Sequence, residues 1–425
     1  MFLVVASVVG SGIFKTPGEI ASQIPHVSLI FAVWTLGGLL SLAGALANAE
    51  LGAMFPHAGG DYVFLRRAFH PIAGFMIGWI TFFAIFAGTV ATLAVAFAED
   101  LGKLLAWSRS TILLAAAVST LLCTWLNVAG VRYGVWANNA TGWLKVVALG
   151  AFCLVVPFLT ATRPDSATGE LALVQSPSLR GFMDAIPAVL FSYLGWNATV
   201  YVASEIRDPA RNVPRSLFVG LALCTGIYLL MNAVYLNALG LAGLRGASNA
   251  AAATALATLG PIGGKLLTGF VLISILGTLN ATILVGARIA YAMALDGIFV
   301  PGVERVHDRY RTPALALWLQ AAVAIAILGV LQTFPGALEF TTFAIVLATT
   351  ADVLALFALR IRQPEIPRPY RAWGYPVVPA LYVLANVGIA FAMLSGSATP
   401  ALFSLGVSVA SVPFYFLFSR LRSAA

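Results

Sequence analysis

Val8-Val9-Gly10-Ser11-Gly12-Ile13-Phe14 interrupts an apolar run that starts at Phe2 and continues, mildly polar, to Ile24. Each glycine costs a helix interior roughly 1 kcal/mol against alanine. Backbone that leaves a helix inside a bilayer strands N–H and C=O groups, tolerable only where protein, water or a ligand satisfies them. A helix broken here turns the N–H groups of its second half toward whatever binds, an arrangement suited to a carboxylate. Small residues also let helices approach closely, and read alone the stretch favours that use. The rest of the chain reverses the order.

The 425 residues are 60% hydrophobic and 9% charged, with a mean hydropathy of +0.94. Soluble domains carry roughly 25% charged residues, so the composition predicts an all-α polytopic membrane protein embedded in a lipid bilayer. No Pro/Gly/Ser linker or long polar block marks a separate soluble domain. The net charge of +8 comes from basic residues dispersed among loops, which argues against a nucleic-acid partner. Cys123, Cys153 and Cys224 all fall in apolar runs, so neither a disulfide framework nor a metal site is indicated, and nothing points to a cofactor. No cleavable signal peptide is visible.

Apolar runs bounded by Pro, Gly or charge give twelve predicted transmembrane helices: 1–24, 27–55, 71–98, 110–130, 138–159, 181–203, 214–239, 263–294, 313–332, 337–361, 376–395 and 399–419. With the N-terminus inside, seventeen Lys and Arg fall on the inner side and seven on the outer. The positive-inside rule then predicts cytoplasmic N- and C-termini in the cell's inner (plasma) membrane. The helix before Gly10 reaches only about 13.5 Å at 1.5 Å per residue, short of half the hydrocarbon core, so the natural start is expected upstream of Met1.

A second interruption, Phe191-Ser192-Tyr193-Leu194-Gly195-Trp196-Asn197, falls midway through the sixth span. Paired interruptions at matching positions of two halves are the best sequence pointer to a transporter's binding site. Five spans per half make the repeat inverted.

These residues resemble the amino acid–polyamine–organocation superfamily, and within it the L-type amino acid transporter branch and its bacterial relatives. The matching stretches are Gly10 to Phe14, Ala49 to Pro56 running into Gly59-Gly60-Asp61-Tyr62, Phe191 to Asn197 continuing through Ser204-Glu205-Ile206-Arg207-Asp208-Pro209, and Arg211-Asn212-Val213-Pro214. Lys145 and Gly277-Thr278-Leu279-Asn280 also fit. The resemblance implies a leucine-transporter-type fold: a first inverted repeat over 1–160, a second over 161–361, and 362–425 holding the last two spans and the C-terminus. It implies secondary-active transport of amino acids by alternating access, not an enzyme, with exchange (antiport) or proton coupling left open and any accessory subunit unknown. Carried over position by position, the N–H groups of Ser11, Gly12 and Ile13 hold the substrate carboxylate. The carbonyls of Val8, Phe191, Ser192 and Leu194 accept from its ammonium, Phe191 closes over it, and Asn197 lines the pocket.

Lys145 lies roughly 10 Å into the fifth span, where an unpaired ammonium costs on the order of 3 kcal/mol. It either snorkels to the interface or, as the resemblance implies, takes the place of the sodium that coupled relatives bind. There it would meet one of Ser274, Thr278 and Thr282, which share a helix face. Glu50 and Glu205 read as inner-gate ion-pair partners or as static pairs. Asp352 reads as a locally paired structural acid, two turns before Arg360, ahead of a proton site. No carboxylate falls in the pocket stretches, which favours neutral amino acids over cationic amino acids or polyamines. A membrane sensor or receptor is the alternative from another class. A buried catalytic constellation and the charge rings of a channel are both missing from the sequence.

Overall fold

The structure, a computed structural model, describes residues 2–56, 59–160, 178–201, 203, 206–396 and 398–424. Among these the regular structure is helical, without a strand. Ten helices are long and apolar enough to cross a membrane. They are α3 (Val27–Met54), the continuous Pro71–Leu105, α7 (Arg109–Val128), α8 (Val131–Thr160, crossing from Asn138), α11 (Pro209–Leu244), α12 (Ala250–Leu295), α13 (Ala314–Leu331), α14 (Phe334–Arg362), α15 (Val377–Ser395) and α16 (Ala398–Ala424). The second is built from α5 (Pro71–Ile80), a π-helical segment at Thr81–Phe86, and α6 (Ala87–Leu105). A short α4 (Asp61–Ala68) precedes it.

Two further stretches are interrupted helices. α1 (Phe2–Val8) stops and α2 (Gly12–Gln23) resumes three residues later. α9 (Leu179–Ser192) likewise gives way to the one-turn α10 (Ala198–Tyr201). Each piece is shorter than the ~20 residues a crossing needs. The breaks lie back to back. A Cβ on Gly12 would sit 2.6 Å from the Ser192 Cα, and one on Gly195, whose φ is +100°, would sit 2.9 Å from the Ser7 carbonyl oxygen. Only glycine permits both the left-handed backbone at 195 and this approach of two chains. A hydroxyl pair, Thr16 to Ser192 at 2.9 Å, ties α2 to α9 beside the crossing.

Around this centre α3 packs on α11, and α12 lies against α6 and α8. The boundaries drawn at 239 and 263 fall beside real kinks: Gly240 (φ +65°) bends α11 and Gly260 (φ +74°), before Pro261, bends α12. The outer faces are apolar, with Trp125, Trp136, Trp143, Phe158 and Phe391 exposed. Lys145, Asn48, Asn127, Asn232, Asn280 and Asp352 are buried. Polar groups inside and apolar side chains outside is the pattern a bilayer solvent imposes.

Candidate functional site

Between the two breaks lies a cavity walled by Ser7, Val8, Ser11 and Gly12 from the first, by Phe191, Leu194, Gly195 and Asn197 from the second, and by Phe86, Thr89, Tyr201, Thr278 and Thr282. It holds about 620 Å³ of empty space, its open side included, within the roughly 300–1,000 Å³ of small-molecule sites. Of the predicted substrate contacts, Ile13 and Ser192 are not in this wall. Their predicted contacts are backbone groups: the Ile13 side chain is fully buried in the core, and the Ser192 carbonyl accepts from the Tyr228 hydroxyl at 2.7 Å.

The backbone at the first break is left open to a ligand. The N–H groups of Phe14 and Lys15 bond back to the Ser11 carbonyl, whereas among the described residues no loop or cap bond uses those of Ser11, Gly12 or Ile13. The buried hydroxyls of Ser7, Ser11 and Thr89, all in the wall, also lack partners. Orphaned buried polar groups are costly, and a zwitterionic ligand supplies what they lack. On the carbonyl side a residue absent from the sequence reading appears. Tyr228 of α11 brings its hydroxyl within 2.8 Å of the Val8 carbonyl and 2.7 Å of the Ser192 carbonyl. Its single proton serves one at a time, so Tyr228 stands where the ammonium was expected to meet these two oxygens.

Lys145 is 1% exposed, inside the bundle rather than at the interface. Its ammonium donates to the Thr278 hydroxyl at 2.5 Å, and that hydroxyl lies 3.3 Å from the Val9 carbonyl at the end of α1. Of the three threonine and serine candidates, Thr278 is the one with this bond. Ser274 offers its carbonyl to Thr278 at 3.2 Å, and Thr282 bonds back to the Thr278 carbonyl. The ammonium thus braces the first break from behind, outside the cavity wall.

Above Phe191 the ring of Phe334 stands edge-on at 5.9 Å, with the Lys15 ammonium 5.0 Å from that ring's centre. Lys15 is itself held by Asp100 at 3.2 Å and Glu99 at 3.4 Å. The aromatic over the cavity is backed by an ionic cluster on the side of α6's C-terminal end, which sequence spacings of 84 and 85 residues hid.

Glu50 is fully buried and takes Arg360 in a fork, Nε at 2.9 Å and Nη2 at 2.5 Å. Arg368 lies 3.3 Å away and the Ala372 N–H donates at 2.5 Å. Glu205 lies outside the described residues. Asp352 is not locally paired with Arg360, whose guanidinium Glu50 occupies; it meets Asn48 at 3.1 Å. Removing the charge of Glu50 leaves two largely buried guanidiniums uncompensated, which costs on the order of 3 kcal/mol. Glu50→Gln is therefore expected to lower the melting temperature in detergent by several degrees, and a variant that melts with the wild type would mean the cluster contributes little.

The amino acid permease family matches residues 1–417. The serine/threonine exchanger SteT of Bacillus subtilis is 29% identical over 418 residues, covering 97% of this chain and 94% of its own. Large neutral amino acids transporter small subunit 2 of Homo sapiens is 27% identical across 98% of this chain and 78% of its own. Asc-type amino acid transporter 1 of Homo sapiens is 27% identical across 98% and 80%. Spanning nearly its whole length, the match makes this multi-pass membrane protein a member of the amino acid permease family.

Proposed function

We propose that the chain exchanges neutral L-amino acids across the cell's inner membrane, independently of sodium and by alternating access. The observation that carries this reading is the cavity between two facing helix breaks, whose wall contains no charged side chain among the described residues. The carboxylate takes the free N–H groups of Ser11 and Gly12 at the start of α2, where the helix dipole is positive. The ammonium takes the carbonyls of Val8, Phe191 and Leu194, while the Tyr228 hydroxyl serves that of Ser192. A second ammonium, as in lysine or putrescine, finds no counter-charge, and burying it unpaired is costly. Phe191 and Asn197 close the remaining wall around the substrate's side chain. Relatives named as serine/threonine, large neutral and Asc-type amino acid carriers support the same substrate class.

In this reading the α1–α2 and α9–α10 stretches are the first and sixth of twelve spans. Residues 1–160 and 161–361 form two inverted repeats, 362–425 lies outside them, and both termini are cytoplasmic. Sodium independence is supported by Lys145, whose ammonium behind the first break repels a cation from that position.

Competition in proteoliposomes tests the substrate class. Unlabelled serine, threonine, alanine or leucine should suppress labelled serine uptake, lysine and putrescine should leave it within about twofold, and replacing sodium by choline should change nothing. Stronger inhibition by arginine than by alanine would overturn the assignment.

A further inference from the structure

Behind the cavity, two carboxyl groups from distant parts of the chain meet in the protein interior. Asp61, at the start of α4, and Asp352, in α14, are both fully or almost fully buried; α4 packs on α14, the two carboxyls act on each other, and the Oδ1 atom of each is buried without a donor. Two ionised carboxylates facing each other in a low-dielectric site repel strongly, so the pair favours a proton on one of them. No cation among the described residues acts on either carboxyl. Among the described residues, the groups acting on the pair besides each other are Tyr201, Thr81 and Asn48. Asp352 Oδ1 is left buried without a donor.

The surrounding charges are engaged elsewhere. On α3, Glu50 is held by Arg360 of α14 and by Arg368. On α4, Arg66 pairs with Asp296. On α6, Glu99 and Asp100 hold Lys15, and Arg180 of α9 pairs with Asp184. α15 contributes the buried Tyr382 and Asn386, whose amide donates to the Thr350 hydroxyl at 3.0 Å. Burial raises the Asp61 carboxyl above its ordinary range, against the lowering effect of its donors.

The pair is also wired to the cavity. Tyr201, on the one-turn α10, donates to Asp61 Oδ2 at 2.6 Å and accepts from the Asn197 amide at 3.1 Å. Tyr201 and Asn197 both line the cavity. On the far side Asn48 donates to Asp352 at 3.1 Å. The chain Asn197–Tyr201–Asp61–Asp352–Asn48 joins the second helix break to α4, α14 and α3.

We propose that Asp61 and Asp352 form a proton-binding site linked to the amino acid cavity through Tyr201. With one proton shared, the pair holds α4, α10 and α14 together and supports the cavity wall. Losing that proton leaves two negative charges facing each other and forces these elements apart, so proton loss and weaker amino acid binding go together. Linkage is reciprocal: bound amino acid raises the pair's hold on its proton. The link to substrate rests on the amino acid reading above; the proton itself does not.

Two measurements on the full-length protein separate the claims. Infrared difference spectra between acid and alkaline pH should show a protonated-carboxyl band in the wild type that is absent from both Asp61→Asn and Asp352→Asn. A band that survives in both variants, or is missing from the wild type, overturns the proton site whatever the protein transports. Serine affinity, followed from pH 5.5 to 8.5, should fall by up to about tenfold per pH unit above the titration point for one linked proton. It should be flat in Asp352→Asn, where Asp61 ionises with no second carboxylate beside it to repel. A wild-type affinity that does not change with pH, or an Asp352→Asn variant with the wild-type profile, overturns the linkage. The Glu365→Gln variant, altering an exposed acid, should keep the wild-type profile; if it too flattens, the dependence does not come from the pair.

Discussion

Gly12→Leu should abolish amino acid uptake, to below about a hundredth of the wild-type rate, while the protein still inserts and remains monodisperse. The site of the damage is specific. The first atom of any side chain at position 12 falls 2.6 Å from both the Ser192 Cα and its hydroxyl, so backbone of α9 must move, not a flexible side chain. Overpacking of this kind costs about 1–3 kcal/mol. It also parts the two breaks, pulling the free N–H groups of Ser11 and Gly12 away from the carbonyls of Val8 and Leu194. A zwitterion spans both sets, so separating them removes both ends of its binding at once. Gly12→Ala should show the same loss in milder form. Gly150, with nothing within 4 Å of a built Cβ, is the control: Gly150→Ala should transport normally. Normal uptake by Gly12→Leu would remove the first break from the binding site.

The second large effect is expected at Lys145. Its ammonium reaches Thr278, and through that hydroxyl the Val9 carbonyl at the end of α1. A hydrogen bond from a charged group contributes about 1.5–3 kcal/mol, so Lys145→Ala should reduce exchange by roughly ten- to a hundredfold at about 1.4 kcal/mol per decade. Because Lys145 braces the break without lining the cavity, the loss should appear in the rate of exchange more than in apparent affinity. Thr278→Val, which keeps the shape and removes the hydroxyl, should reproduce most of it, and the double variant should be little worse than either single one. Additive losses would separate the two residues, and an Ala variant that exchanges normally would leave the brace without a role.

Local signals carried much of this architecture. The breaks at Gly10–Phe14 and Phe191–Asn197 were legible because a glycine in an apolar run is a backbone statement, made without reference to any partner. Helix ends at 239 and 263 were legible for the same reason, through Gly240 and Gly260. Lys145 stood out because an ammonium deep in a span demands an explanation, though its choice of Thr278 over Ser274 and Thr282 depends on helix rotation that periodicity does not fix. Tyr228 was invisible: it lies in an ordinary apolar helix 220 residues from the Val8 carbonyl. Asp352 was misjudged because Arg360 is near in sequence; the structure gives that guanidinium to Glu50, 310 residues away, and leaves Asp352 to Asn48 and Asp61. Ile13 and Ser192 were read for their backbone groups; their side chains lie in packing, and the Ser192 carbonyl accepts from Tyr228, 36 residues away.

The central claim is that two facing helix breaks form an amino acid exchange site. Counterflow tests it most directly: purified protein in liposomes, labelled serine outside, and either no amino acid or unlabelled serine inside, in sodium and in choline buffers. The account predicts label entry only into the loaded vesicles, equal in both buffers, and none with Gly12→Leu. Equal entry into empty and loaded vesicles, or entry that requires sodium, would contradict it.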